Sequence, residues 1–156
     1  LDMALQDFNG MREREGAKLS ADILSRAGTI EALTAQVEAQ SPKTVAEYRG
    51  RLENKMKEVL QNTQIDESRI LTEAAIFADK VAVDEETVRL HSHLSQLRTL
   101  LEQDGPMGRK LDFLIQEFNR EANTIGSKCN DLETARHVID IKAEIEKIRE
   151  QVQNIE

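Results

Sequence analysis

Apolar residues recur every three or four positions along most of the chain, which is the period of amphipathic helices. No segment alternates strictly between apolar and polar residues, so no strand is predicted. The first apolar stripe runs to about residue 40 and consists of Leu19, Ile23, Ile30, Leu33 and Val37. Ser41-Pro42 then predicts a helix start, because serine caps helix N-termini and proline suits the first helical position.

The second stripe begins directly after this signal and contains Val45, Tyr48, Leu52, Met56 and Val59. Two long helices joined by a tight turn at Ser41-Pro42 should lie antiparallel, as a coiled-coil-like hairpin arm over residues 1–65. Asp66 is placed to cap the next helix, and helical stripes continue to the end of the chain. The predicted fold is therefore all-α, with a long antiparallel helical hairpin, a C-terminal helical bundle over residues 66–156, and no sheet.

Two of the later stripes step alternately by three and four residues, as coiled-coil seams do. They consist of Val83, Thr87, Leu90, Leu94, Leu97 and Leu101, and of Val138, Ile141, Ile145, Ile148, Val152 and Ile155. Because seams this narrow usually need a partner helix, we expect a homo-oligomer. We also expect the last turn to be docked, with Gln151, Asn154 and the terminal carboxylates near the polar face of residues 109–128.

The composition favours long helices with narrow apolar stripes over an aromatic-rich core. Among 156 residues there are no Trp, one Tyr and four Phe, and 32% are charged. The single cysteine, Cys129, excludes an intramolecular disulfide and is typical of a reducing cytoplasm. No signal peptide and no apolar run long enough to cross a membrane are visible, so we predict a cytoplasmic protein without a membrane partner.

One helix, over residues 108–128, has an unusual polar face. Two Asn, a Thr and a Gly lower its helix propensity, whereas ordinary solvated faces are rich in Glu and Lys. The formal net charge of the chain is −8, but this helix has four basic and three acidic residues, so its own charge is +1 and the remainder carries −9. A polar site is therefore predicted here, and a nucleic-acid-binding surface would have to be local to it.

The same stretch resembles a known family. Residues 108–128, 142–156 and 88–102, with the run Met11-Arg-Glu-Arg-Glu-Gly16, resemble the C-terminal half of the YicC/YloC family of bacterial proteins. The resemblance implies a metal-dependent endoribonuclease of about twice this length, whose N-terminal domain is absent from the chain. It implies RNA as the partner and a divalent metal, Mn²⁺ or Mg²⁺, as the cofactor. Because the sequence has no glycine-rich phosphate loop, no nucleotide cofactor is predicted.

Cleavage of RNA needs a nucleophile, a proton acceptor and stabilisation of charge at the phosphate, and a carboxylate-bound metal supplies part of this. Glu117 and Glu121 are four residues apart on one helix face and could hold one ion together. His93 is the candidate for a further ligand or a general base. Two ordinary alternatives stay open: the carboxylates pair with Arg120 and Lys110 on a solvated surface, and His93 only flanks the leucine seam.

The other polar residues of this helix fall into two groups. The candidates for binding RNA phosphates are Arg109, Arg120 and Lys128. The candidates for orienting the substrate or the metal ligands are Asn119, Asn123 and Thr124. The alternatives are salt bridges for the basic residues and buried polar contacts between helices for the others. Phe113 lies among them and either stacks a base or contacts a second helix.

Two functions therefore compete. The first is a divalent-metal-dependent endoribonuclease, with this chain as its C-terminal part. The second is a non-catalytic coiled-coil module that oligomerises an RNA-binding or enzymatic N-terminal half. The Asn-, Thr- and Arg-rich face of residues 108–128 favours the enzyme, and the −9 charge elsewhere favours the oligomerisation module.

Overall fold

The computed structural model describes residues 1–61 and 64–155, and their side chains as far as residue 154. These described residues form five helices: α1 (Asp2–Leu60), α2 (Glu67–Val81), α3 (Asp84–Glu102), α4 (Gly108–Lys128) and α5 (Leu132–Ile155). There is no strand within the described ranges, so the all-α prediction is confirmed. In the same ranges, no helix has the length and apolarity that crossing a membrane requires.

The predicted break at Ser41-Pro42 is wrong, because α1 is one continuous helix of 59 residues that includes Pro42. Proline inside a helix removes one backbone hydrogen bond and costs about 3 kcal/mol. Packing on both sides of it offsets this loss, since Val37 and Thr44 are buried on the inner face. Pro42 and Glu38 lie on the exposed face, where water can solvate the carbonyl group that lacks a donor. A start signal in the sequence was thus overridden by tertiary packing.

An antiparallel helical hairpin is nevertheless present, but its two limbs are α1 and α2. Its second limb is α2, which packs against the C-terminal part of α1. The rings of Tyr48 in α1 and Phe77 in α2 stack with centroids 3.9 Å apart and planes at 6°. Asp66 caps α2 as predicted, since its side chain accepts a hydrogen bond from the Arg69 amide at 3.3 Å.

Both predicted seams are buried from Val83 to Leu97 and from Val138 to Val152, and their partners are helices of the same chain. Leu101 is half-buried, and the Ile155 side chain lies outside the described residues. The seam of α3 packs against α1 and α4, and the seam of α5 packs against α1 and α4. Each fully buried Leu or Ile contributes about 1.5–3 kcal/mol, so these seams set the arrangement of the helices. The homo-oligomer stays a prediction, but the seams no longer supply a reason for it.

A single hydrophobic core connects the two segments that the sequence divided at residue 65. Ile23, Ile30 and Val37 of α1 belong to the same cluster as Phe118 of α4 and Ile145 of α5. The division into residues 1–65 and 66–156 stays a prediction about folding units. The middle of α1 therefore forms one wall of the bundle, which the predicted hairpin arm over residues 1–65 did not include.

The end of α5 is docked as far as Val152, and the contact shown by its polar side chain is with α1. Val152 is buried in the core, and the Gln151 side chain donates a hydrogen bond to Asp22 of α1 at 2.8 Å. Gln151 thus contacts α1, and its predicted place near the polar face of α4 stays a prediction. Asn154 is exposed, and the terminal carboxylates of Glu156 lie outside the described residues.

Candidate functional site

The turn between α3 and α4 folds α4 back along α3 and brings their polar faces together. Gly105 in this turn has a φ of 113°, a backbone conformation that side-chain-bearing residues rarely adopt. Three contacts then follow the antiparallel register: His93 lies beside Glu117, Arg89 beside Glu121, and Glu86 beside Lys128. The site is therefore built on two helices that the leucine seam holds rigidly against each other.

His93, Glu117 and Glu121 form a compact cluster on this face. One potential ligand atom from each residue lies within 4.8 Å of the other two. The Nε2 atom of His93 is 3.9 Å from a Glu117 carboxylate oxygen, and the two side chains are 14% and 23% exposed. Glu121 is only 3% exposed. The structure thus brings together the three residues that the sequence proposed as catalytic or metal-binding, at a place that solvent reaches from one side.

The His93 ring has unsatisfied polar atoms. Both Nδ1 and Nε2 are buried, and neither has a hydrogen-bond partner among the described residues. The ring meets Phe118 edge-on, with centroids 6.1 Å apart, so its orientation is fixed by apolar packing. Buried polar atoms without partners are rare in folded proteins, because each loses its hydration without compensation. The arrangement therefore favours a ligand at the imidazole.

A network of ion pairs from α3 supports Glu121 next to His93. The Nε atom of Arg89 donates to Glu121 at 2.8 Å, and an Arg89 Nη atom lies 3.5 Å from Glu86. Lys128 donates to the same Glu86 oxygen at 2.7 Å. Burial by itself raises the pKa of Glu86, but the hydrogen bond from Lys128 and the charges of Lys128 and Arg89 outweigh it, so the pKa is lowered overall. Two nearly buried carboxylates are thereby held beside fixed cations.

Sequence reasoning gave no role to Arg89 or Glu86. The available signal was their spacing, since Glu86, Arg89 and His93 follow one another at three and four residues along one face of α3. Acidic residues in a first helical turn are common, because they interact favourably with the helix dipole. Glu86 therefore resembled an ordinary helix start, and only its burial sets it apart.

The basic residues predicted to bind phosphate have three different environments. Arg120 is exposed and lines a pocket of ≈ 380 Å³ together with Arg89, Glu117, Glu121 and Thr124. Lys128 is engaged within the protein by Glu86 and by the carbonyl group of Ala82, as the salt-bridge alternative expected. Its role at phosphate stays a prediction. Arg109 lies about two to three helical turns from this pocket, toward the start of α4.

The three residues proposed to orient ligands do not share one surface. Thr124 lines the pocket, and its hydroxyl group donates to the Arg120 carbonyl group at 3.0 Å. Asn119 is half-buried and Asn123 is exposed, and neither lines the pocket. Of the three, Thr124 is therefore the residue that this geometry connects to the carboxylates.

The comparison with protein families agrees with this region of the chain. Residues 37–156 match the family model described as the C-terminal part of YicC-like endoribonucleases. The chain belongs to the YicC-like endoribonuclease family. The matched range contains all of α3 and α4, so the cluster of His93, Glu117 and Glu121 lies in the part that defines the family.

Two curated relatives extend the match to almost the whole chain. A probable endoribonuclease YicC from Clostridioides difficile (strain 630) is 46% identical over 154 residues, which is 98% of this chain. A probable endoribonuclease YicC from Haemophilus influenzae (strain ATCC 51907 / DSM 11121 / KW20 / Rd) is 37% identical over 155 residues, or 99% of this chain. Each alignment covers 53% of the relative, so the chain spans about half the length of these YicC proteins.

Proposed function

We propose that this chain is the metal-dependent catalytic part of an endoribonuclease, which cleaves phosphodiester bonds within RNA. The observation that carries the proposal is the cluster of His93, Glu117 and Glu121, whose potential ligand atoms lie within 4.8 Å of one another. The names of the YicC relatives support the reaction class. The proposal includes RNA as the substrate, a cytoplasmic location, and self-association of the full-length protein.

The donor set fits a divalent metal ion. Two carboxylates and one imidazole suit ions of intermediate softness, and the imidazole favours Mn²⁺ over Mg²⁺, which prefers oxygen ligands and water. Coordination would also give a partner to a buried His93 nitrogen that has none within residues 1–61 and 64–154. Glu117, Glu121 and His93 would hold the ion. When bound, it would activate a nucleophilic oxygen and offset the negative charge that develops on the phosphate.

The other residues of the pocket act on position and charge. Arg89 holds Glu121 in one orientation through its 2.8 Å hydrogen bond, so the carboxylate needs no rearrangement to act as a ligand. Arg120 lies at the same pocket without a carboxylate within 4.0 Å among the described residues, and it is free to bind a phosphate. His93 is assigned as a ligand first, with a general base as the alternative role.

The test is RNA cleavage by the full-length protein carrying Glu117→Gln, with Mn²⁺ or with a chelator. We expect the variant to lose at least about 100-fold in cleavage rate, because the amide is a poor metal ligand, while RNA binding and the melting temperature stay close to wild type. Glu146→Gln is the matched control, since Glu146 is an exposed carboxylate of α5 paired with Arg149. A Glu117→Gln protein that cleaves RNA at the wild-type rate would refute the proposed site.

A second candidate function rests on one surface of α1. Leu5, Phe8 and Met11 are exposed apolar residues in the first turns of the helix, beyond the bundle. An apolar strip of this kind suits a helix that joins another chain or domain, as a non-catalytic oligomerisation module would require. The same assay separates the two functions, because the module predicts that Glu117→Gln and Glu146→Gln cleave RNA equally well.

A further inference from the structure

A second pocket lies between α3 and α4, nearer the turn that joins them than the carboxylate cluster is. This pocket has a volume of ≈ 490 Å³ and is lined by Ser95, Gln96, Thr99 and Leu100 of α3 and by Arg109, Lys110, Phe113 and Leu114 of α4. Phe113 is 58% exposed, so more than half of its surface is open to solvent. The pocket thus combines an open aromatic ring with two cations and several polar side chains.

The pocket and the cluster lie on the same helix face. Phe113 and Glu117 are four residues apart, which places them one above the other with a rise of about 6 Å. On the opposite wall, Gln96 follows His93 by three residues. Consecutive nucleotides of a stacked strand rise by about 3.4 Å, so the pocket lies roughly one to two nucleotides from the cluster. A strand held at one position would therefore reach the other.

The charges of the pocket suit a nucleic acid. Arg109 and Lys110 are exposed, and neither pairs with a carboxylate within 4.0 Å in residues 1–61 and 64–154. An exposed aromatic ring next to an arginine is the arrangement by which proteins stack an unpaired base and hold its phosphate. The Thr99 hydroxyl group donates to the Ser95 carbonyl group, whereas the Gln96 amide is exposed and can reach a base edge.

We propose that this pocket binds an unpaired nucleotide of single-stranded RNA, with the base stacked on Phe113 and an adjacent phosphate held by Arg109 and Lys110. The inference rests on the proposed ribonuclease function and specifies its substrate as single-stranded near the cleaved bond. A base inside an A-form duplex is stacked and paired, so it cannot enter a pocket beside the helix. Because the pocket is positively charged, it favours RNA as its occupant over a protein segment with few acidic residues.

The experiment measures RNA binding by the full-length protein carrying Glu117→Gln, in chelator, so that cleavage plays no part. The probes are a fluorescently labelled single-stranded oligonucleotide and the duplex of the same sequence. Adding Phe113→Ala is expected to weaken single-strand binding by about 5- to 150-fold, the range for one base–aromatic stack, and duplex binding by less than about two-fold. Phe113→Tyr keeps the ring and should retain binding, and Arg109→Gln should weaken it.

Ile139→Ala is the matched control, because Ile139 is an apolar side chain of α5 with 65% exposure and should leave both affinities unchanged. Unchanged single-strand affinity in Phe113→Ala would overturn the subsite, as would an equal loss for the duplex. A change of oligomer mass in light scattering with unchanged RNA affinity would show a protein interface instead, and would also overturn it. Failure of the proposed catalytic site would look different. The RNA affinities would then follow the expected pattern, but the Glu117→Gln protein would cleave RNA at the wild-type rate.

Discussion

The two histidines of α3 are only two residues apart, yet they lie in opposite environments. His91 makes a 2.9 Å hydrogen bond with Glu38 of α1, and both side chains are more than a third exposed. His93 lies beside two carboxylates of α4, and both of its ring nitrogens are buried with no hydrogen-bond partner among the residues that the structure describes. Because His91 has a hydrogen-bond partner and is partly open to water, its position does not indicate a ligand. The unsatisfied histidine between two carboxylates indicates a binding site, because its burial is otherwise uncompensated.

The largest expected effect tests this difference between the two histidines directly. His93→Ala should raise the Mn²⁺ concentration needed for half-maximal cleavage by about 10- to 100-fold or more, because it removes a ligand, whereas His91→Ala should change it by less than about two-fold. Metal titrations of RNA cleavage by the full-length proteins measure both. Equal effects of the two substitutions would mean that the buried position of His93 has no special role in metal binding.

The ion pairs at buried Glu86 and at exposed Glu31 also differ in what their loss should cost. Lys128→Met should lower the free energy of unfolding by about 1–3 kcal/mol, because it leaves the buried carboxylate of Glu86 without its closest donor. Arg98→Met removes the 2.7 Å pair with Glu31, which is 46% exposed, and should cost at most about 1 kcal/mol. Denaturant unfolding of both variants tests the order, and a larger loss for Arg98→Met would contradict it.

Much of the fold could be predicted because the seams repeat over many turns. Leu90, Leu94 and Leu97 are buried as their spacing predicted, and so are Ile141 and Ile145. Pro42 was misjudged because a single start signal says nothing about tertiary packing. When the free energy gained by burying side chains on both sides of a proline exceeds the local cost of the proline, the helix continues through it.

The candidate cluster could be predicted in part, because spacing within one helix specifies which residues are neighbours. Glu117 and Glu121 are neighbours by helix geometry alone, and His93 was singled out by its position at the seam edge. The register between α3 and α4 depends on the turn at residues 103–107, which spacing within one helix does not specify. The role of Arg89 and the identity of Glu86 as the partner of Lys128 therefore emerged only from the packed structure.

The smallest expected effect concerns pH and sharpens the contrast at Glu86. Its pKa is lowered from the ordinary value of 4.5, because the Lys128 hydrogen bond and nearby charges outweigh burial. A lowered pKa means that this carboxylate contributes stability above pH 4.5, which is lost as the pH falls through the folded-state value. Protonated Glu86 no longer needs Lys128, so the stability difference between wild type and Lys128→Met should shrink between pH 6 and pH 3. Denaturant unfolding across this range measures the difference, and a gap that stays constant or widens toward low pH would place the stabilising role of Lys128 elsewhere than at Glu86.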